Sequence, residues 1–249
     1  MEANNLFEEI CGWTAAGLTL YFFIASSIPF INLAKGKLSI DDTPGFYIGL
    51  NYVNSLCWYI YGDFLYSDCI KKVYFTGSII CFALFFVYLF YEAQEYKKDA
   101  ILNGLIIISG TYTIYVGLSV IIDNVDIIAR FCFATYLILF FYPLQSIYYV
   151  IKNKDYTLIP FYSTCCSFLT GLCWTIYGYG ITEYYVILTN IFVIIIALMQ
   201  IVLYIIFKLK YPYINIENKQ NEIRKEENKK IIDEEVQMNE RPVKIIEKS

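Results

Sequence analysis

Long stretches without a charged residue alternate with short polar segments along the first 207 residues of the chain. Each stretch is 19 to 27 residues long and rich in Ile, Leu, Val, Phe and Tyr. Because an α-helix rises about 1.5 Å per residue, about 20 residues cross a hydrocarbon core about 30 Å thick. The pattern therefore predicts an all-α membrane protein with seven transmembrane helices. These are 10–34, 43–62, 73–91, 100–122, 131–151, 156–182 and 184–207.

Charge is concentrated at the C-terminus. Residues 208–249 hold 19 of the 42 charged side chains, and the other 207 residues hold 23. Because a segment with this much charge cannot bury a hydrophobic core, we predict that residues 208–249 form a disordered or solvated tail. The chain has no His, which excludes His-dependent acid–base catalysis and imidazole metal sites. A net charge of −4 gives no electrostatic footprint for nucleic acid.

The distribution of Lys and Arg predicts how the chain is oriented. Alternate loops each contain two lysines, whereas the opposite side has only Lys71, Lys72 and Arg130. Cytoplasmic loops carry the excess of basic residues, so the N-terminus is predicted outside and the C-terminus in the cytosol. The membrane itself, plasma membrane or endomembrane, is left open. The paired lysines are Lys35/Lys37, Lys97/Lys98, Lys152/Lys154 and Lys208/Lys210.

The chain contains an internal repeat. Residues 54–62 (NSLCWYIYG) and 170–178 (TGLCWTIYG) are identical at six of nine positions, at an offset of 116. Each copy covers three predicted helices, and the run 100–122 lies between the copies. Three spans reverse the side of the chain and one more restores it, so both copies insert in the same orientation. Parallel repeats of this kind occur in secondary transporters, with the substrate site near the midplane between them.

We therefore predict two parallel three-helix bundles joined by a linker helix, a 3+1+3 arrangement. The segments are an N-terminal bundle at 1–95, a linker helix at 96–127, a C-terminal bundle at 128–207 and a charged cytoplasmic tail at 208–249.

The 3+1+3 plan, the paired prolines, the W-x-x-Y-G motif in both copies and an Asn in the last helix resemble the SWEET sugar transporter family. The resemblance covers about 10–207 and is strongest over 142–204. It implies a bidirectional, facilitative transporter that moves a mono- or disaccharide by alternating access. It also allows a homo-oligomer, since the family is often oligomeric.

The predicted spans contain no Asp, Glu, Lys, Arg or His. Ionisable residues persist inside membranes where pumps and symporters need them for proton or ion coupling. Their absence argues for a neutral substrate and uniport. It also argues against an enzyme, because the spans hold no acid, base or metal-ligand set, and we predict no cofactor.

Trp58 and Trp174 are equivalent in the repeat, and an aromatic face can stack on a sugar ring. The alternatives for both are interfacial anchoring and core packing. Asn190 is a bare amide deep in the last run, where an interhelical hydrogen bond is the alternative to substrate binding. The resemblance implies that Trp174 and Asn190 line the sugar pocket. It also implies a second Asn, in the third helix, where this chain has Tyr74.

Asn54 and Thr170 form a further equivalent pair, each four residues before its Trp. They are secondary candidates for the pocket, with a structural role as the alternative. The bulkier Tyr74 leaves the size of the sugar open.

The resemblance also implies two gates. Four prolines resemble the cytoplasmic hinge of the family, and Pro deletes a helical hydrogen bond and permits a kink. Tyr61, Tyr177 and Glu183 lie toward the outer ends, where a Tyr–carboxylate bond would close the outside. An aromatic belt is the alternative for the two tyrosines. The prolines are Pro29 and Pro143, paired at an offset of 114, and Pro44 and Pro160, paired at 116.

Two other classes of membrane protein fit the sequence less well. PQ-loop transporters typically carry a Pro-Gln pair in the first and fifth helices, and here Phe30 and Leu144 follow the prolines. A seven-helix receptor is not expected to contain a three-helix repeat, whereas this chain does.

Overall fold

The computed structural model describes residues 2–96, 101, 103–104, 107–108, 110–111 and 125–211. Over these residues the chain is helical, with no strand. Most of the predicted linker helix and of the charged tail lies outside the described residues. The helices are α1 (Glu2–Ala25), α2 (Ser27–Ala34), α3 (Gly45–Phe64), α4 (Asp68–Glu95), α5 (Val125–Leu139), α6 (Phe141–Asn153), α7 (Phe161–Gly180) and α8 (Tyr184–Lys210), with a 3-10 turn at Tyr156–Leu158.

Four described segments are long and apolar enough to cross a membrane by themselves. Two more helices, α3 and α7, are 20 residues long; α7 lies within its predicted span, and α3 extends two residues past the predicted end at 62. They are more polar because they carry the amide and hydroxyl side chains that face the interior of the bundle, among them Asn54 and Thr170. The four segments are Glu9–Ala34, Asp68–Glu95, Val125–Asn153 and Tyr184–Lys210.

The described helices form two halves, α1–α4 and α5–α8, and the last two helices of each half are joined by the same tight turn. Tyr66 and Thr182, which are 116 residues apart, both adopt a left-handed backbone conformation, with φ of 51° and 57°. The next residues, Ser67 and Glu183, each donate their backbone N–H back to the glycine of the W-x-x-Y-G motif, a Schellman-like helix end. We call this side of the molecule, with turns 65–67 and 181–183, the tyrosine end.

The first span of each half is interrupted near its proline. Helix α1 ends at Ala25 and α2 begins at Ser27, and α5 ends at Leu139 while α6 begins at Phe141. Each interruption falls three residues before a proline, Pro29 or Pro143, as expected where a proline removes a helical hydrogen bond. We call the opposite side, with turns 35–44 and 154–160, the proline end.

The two halves pack by equivalent contacts. In each half the last helix, α4 or α8, packs against the other helices of that half. Between the halves, α1 packs against α7 and α3 packs against α5. Gly12 permits the first of these contacts, since a side chain there would collide with the ring of Tyr177. The largest buried cluster, which includes Trp58 and Trp174, therefore lies where the halves meet.

All eight cysteines are within the described residues, and all are free. Five are buried, including Cys11 and Cys69, and the other three are partly buried. A free cysteine buried in an apolar helix packs as a small hydrophobic residue.

Candidate functional site

Three aromatic rings lie in a row between the two halves. The ring centroids of Trp58 and Tyr74 are 5.7 Å apart, with planes 22° from parallel. Those of Tyr74 and Trp174 are 6.4 Å apart, with planes at 26°. Tyr61 meets Trp58 edge-on, and Tyr177 meets Trp174 edge-on, each at 5.7 Å. The structure thus brings Trp58, Tyr74 and Trp174 together, and we call these three residues the aromatic column.

Hydrogen bonds between the halves hold the column in place. The Trp174 Nε1–H donates to Thr19 Oγ1 at 3.0 Å. Asn54 Nδ2 donates to Thr135 Oγ1 at 2.9 Å. Each bond joins α1 or α5 to a helix of the other half. The Trp58 Nε1–H, by contrast, is buried without a hydrogen-bond partner among the described residues.

Asn190 and Thr170 are buried and bond to their own helices. Asn190 Nδ2 donates to the Val186 carbonyl at 2.8 Å, and Thr170 Oγ1 donates to the Cys166 carbonyl at 2.7 Å. These bonds use donors of the two side chains, and the side-chain oxygens keep acceptor capacity. That arrangement suits a ligand that brings hydroxyl donors.

A cavity of about 870 Å³ lies on the proline-end side of the column. Both halves contribute polar groups to its wall, among them Asn51 and its repeat equivalent Ser167. Of the residues predicted for the hinge, Pro143 and Pro160 line it. Its wall also contains Tyr136, whose ring contacts Trp58 edge-on at 6.4 Å. Among the described residues of this wall, none is one of the six predicted binding residues, and the contact between Tyr136 and Trp58 links the wall to the column.

The tyrosine end is closed by two equivalent hydrogen bonds. The Tyr61 hydroxyl donates to Glu183 Oε2 at 2.7 Å. The hydroxyls of Tyr177 and Ser67 are also 2.7 Å apart. An offset of 116 relates Tyr61 to Tyr177 and Ser67 to Glu183, so each tyrosine reaches the N-cap residue of the last helix of the other half. One closure involves a carboxylate, and the other joins two neutral hydroxyls.

The four prolines occupy two kinds of position. Pro29 and Pro143 follow the helix interruptions, whereas Pro44 and Pro160 are the residues that cap α3 and α7. Gln200 Nε2 donates to the Pro143 carbonyl at 3.4 Å, which ties α6 to α8. Here too the halves touch, because the rings of Tyr47 and Tyr142 stack at 4.6 Å.

The carboxylate of Glu92 is buried, although charged residues are expected outside the transmembrane spans. The charge-free run stops at residue 91, but α4 continues to Glu95, and Glu92 is 5% exposed. Glu92 Oε1 accepts bonds from the Tyr88 hydroxyl at 3.0 Å and from Asn103 Nδ2 at 2.8 Å. Asn103 belongs to the linker segment, so Glu92 joins that segment to α4. It does not line the 870 Å³ cavity.

Sequence reasoning missed several residues of the site. Ser67, Thr19, Thr135 and Tyr136 all contact predicted residues, yet none was selected. Ser67 could have been found, because it precedes Glu183 by the repeat offset of 116. Thr19 and Thr135 could have been found in the same way, because they too are 116 residues apart, whereas Tyr136 corresponds to Leu20 and had no such marker.

The family model described as "Sugar efflux transporter for intercellular exchange" matches residues 126–211. Two curated proteins of Arabidopsis thaliana are similar over most of the chain. Bidirectional sugar transporter SWEET7 is 23% identical over 70% of this chain and 70% of its own length. Bidirectional sugar transporter SWEET1 is 26% identical over 70% of this chain and 72% of its own length.

The fold is that of a solved eukaryotic SWEET transporter. The two structures superpose with a TM-score of 0.73 at 19% identity, over 83% of this chain and 99% of the other. The resemblance to the SWEET family that the repeat and its motifs indicate is confirmed, and so is the all-α, seven-helix membrane fold. The chain is an integral, multi-pass membrane protein.

Proposed function

We propose that the protein is a sugar uniporter, which carries a neutral mono- or disaccharide down its gradient in either direction. The observation that carries the proposal is the aromatic column, which is held between two equivalent halves and is linked through Tyr136 to a partly polar cavity. The curated relatives are named bidirectional sugar transporters, which supports a sugar as the substrate. In this role the protein is not an enzyme.

The transport unit consists of the two bundles, 1–95 and 128–207, joined by the linker segment 96–127. With the N-terminus outside, the tyrosine end faces outward and the proline end faces the cytosol, as the excess of lysine in the loops at the proline end favours. The cavity then opens inward, and the two tyrosine bonds close the outer side. In the alternating-access cycle, the protein passes from this inward-open state to an outward-open state in which the proline end is closed.

Sugar entering from the cytosol reaches the column through the cavity. The buried Asn190 and Thr170 side chains offer acceptor oxygens, and the indole faces supply the apolar surface on which a sugar ring stacks. Rupture of the Tyr61–Glu183 and Tyr177–Ser67 bonds then opens the outer side. The interruptions before Pro29 and Pro143 let the first span of each half bend during the exchange.

Uptake of radiolabelled glucose and sucrose, in a host that lacks its own sugar carriers, tests the function. We expect saturable uptake of at least one of the two sugars, unchanged within about twofold by a proton uncoupler. Cells carrying an empty vector set the background. Uptake abolished by the uncoupler would contradict uniport, and an absence of uptake with the protein present in the membrane would contradict sugar transport.

Glu92 provides a sharper test of the absence of proton coupling. It is the buried carboxylate of α4, yet it lies off the cavity wall and bonds to the linker segment. We expect Glu92→Gln, which keeps an acceptor oxygen, to transport sugar within about twofold of the unsubstituted protein. Glu92→Leu removes both bonds and should lower the thermal stability of the purified protein. A loss of transport in Glu92→Gln at normal membrane levels would assign Glu92 to the transport step.

A further inference from the structure

Tyr74 fills the space between the two indoles of the aromatic column. Its ring is nearly parallel to both Trp58 and Trp174, at 22° and 26°. A third ring, Phe23, meets Tyr74 edge-on at 6.2 Å and packs on Gly77, one helical turn further along α4. A sugar that stacks on both tryptophans must take the volume that the phenol occupies. In the structure, then, the slot between the tryptophans is already filled by a side chain.

The second observation is the unpaired donor at Trp58. The two tryptophans are equivalent in the repeat and equally buried, yet only Trp174 has a partner for its N–H, Thr19. A buried N–H without an acceptor is unfavourable, and native structures contain few of them. An oxygen of a bound ligand would supply the acceptor that the protein does not. This points to a hydroxylated ligand at the Trp58 side of the slot.

The residues on the two sides of the column limit where a ligand can bind and where the displaced phenol can move. Toward the tyrosine end, Tyr61 and Tyr177 contact the two indoles and are themselves held by hydrogen bonds. Toward the proline end, Tyr136 contacts Trp58 and forms part of the cavity wall. A phenol that leaves the slot remains attached to α4, so it stays beside the slot and takes up volume there.

We propose that Tyr74 occupies the place of one pyranose ring, and that a sugar binds by displacing it. The site then takes a single hexose ring, because the displaced phenol fills the space that the second ring of a disaccharide would need. A hydroxyl oxygen of the hexose accepts the Trp58 N–H bond. This inference rests on the proposed function and narrows its substrate from mono- or disaccharide to monosaccharide.

Replacing Tyr74 tests the inference directly. Tyr74→Asn and Tyr74→Leu remove the ring, whereas Tyr74→Phe keeps the ring and removes only the hydroxyl. Uptake of radiolabelled glucose and sucrose is measured for each variant, at membrane levels matched by immunoblot. The unsubstituted protein and Tyr74→Phe should take up glucose at least tenfold faster than sucrose.

Both variants without the ring should behave alike, and differently from Tyr74→Phe. Sucrose uptake should rise at least fivefold, and the glucose concentration for half-maximal uptake should fall at least threefold, since binding no longer requires displacement of the phenol. Comparable sucrose and glucose uptake by the unsubstituted protein would overturn the inference, and so would an unchanged ratio in the variants without the ring. Either result leaves sugar transport standing. Absence of transport of both sugars in every variant, with the protein in the membrane, would overturn the proposed function as well.

Discussion

Replacing Trp174 with alanine is expected to lower sugar uptake at least tenfold while the protein still reaches the membrane. The substitution removes one indole face of the column and the hydrogen bond from its N–H to Thr19. A tenfold loss corresponds to about 1.4 kcal/mol, which is within the range of about 0.5–1.5 kcal/mol that one aromatic pair contributes. Trp58→Ala should have an effect of the same order, because the two residues are equivalent in the repeat.

The chain offers a matched control, because it contains three tryptophans. Trp13 is 43% exposed and lies outside the column, so Trp13→Ala should transport within about twofold of the unsubstituted protein. Thr19→Val removes the bond to Trp174 without removing the ring, which separates the contribution of the bond from that of stacking. Normal uptake by Trp174→Ala at normal membrane levels would exclude the column as the binding site.

Removing the hydroxyl of Tyr61 is expected to open the tyrosine end. Tyr61→Phe deletes the bond to the Glu183 carboxylate, and a hydrogen bond to a charged group contributes about 1.5–3 kcal/mol. Loss of that bond shifts the balance between closed and open states by about tenfold or more. Tyr177→Phe deletes the equivalent bond to Ser67, which is neutral, so its effect should be smaller, as a typical neutral bond contributes about 0.5–1.5 kcal/mol.

Native cysteines report on this opening. Cys69 is buried two residues after Ser67, whereas Cys57 is fully buried within α3. In the purified protein, Tyr61→Phe should raise the rate at which a water-soluble maleimide modifies Cys69, measured by mass spectrometry, and leave Cys57 unmodified. Tyr177→Phe should raise the Cys69 rate less. An unchanged Cys69 rate in Tyr61→Phe, or a larger effect of Tyr177→Phe, would contradict the assigned closure.

The repeat explains why much of the architecture could be predicted from the sequence. If the two halves have the same fold, residues that match at an offset of 116 must occupy equivalent positions. The offset therefore pairs Trp58 with Trp174 and Tyr61 with Tyr177. The length of the charge-free runs placed the spans, since the hydrocarbon thickness sets the length of a helix that crosses it. The prolines marked the two helix interruptions, because a missing N–H weakens a helix at a known position.

The contacts between side chains could not be obtained in this way. Hydrophobic periodicity does not fix the relative rotation of two packed helices, so nothing in the sequence placed Tyr74 between the tryptophans. The same holds for Tyr136, which links the column to the cavity. The third span was predicted to end at residue 91, the last residue of the charge-free run, which left Glu92 outside the span. The helix in fact continues past it to Glu95, and bonds from Tyr88 and Asn103 satisfy one oxygen of the buried Glu92 carboxylate.

The central claim is that two equivalent halves move a sugar down its gradient without a coupling ion. Counterflow in liposomes tests this most directly, with the purified full chain, an interior loaded with unlabelled glucose and a trace of radiolabelled glucose outside. With identical buffer and ions on both sides, we predict transient accumulation of label inside, faster than in protein-free liposomes. The label should not accumulate with Trp174→Ala. Accumulation that requires an imposed proton or sodium gradient would contradict the claim.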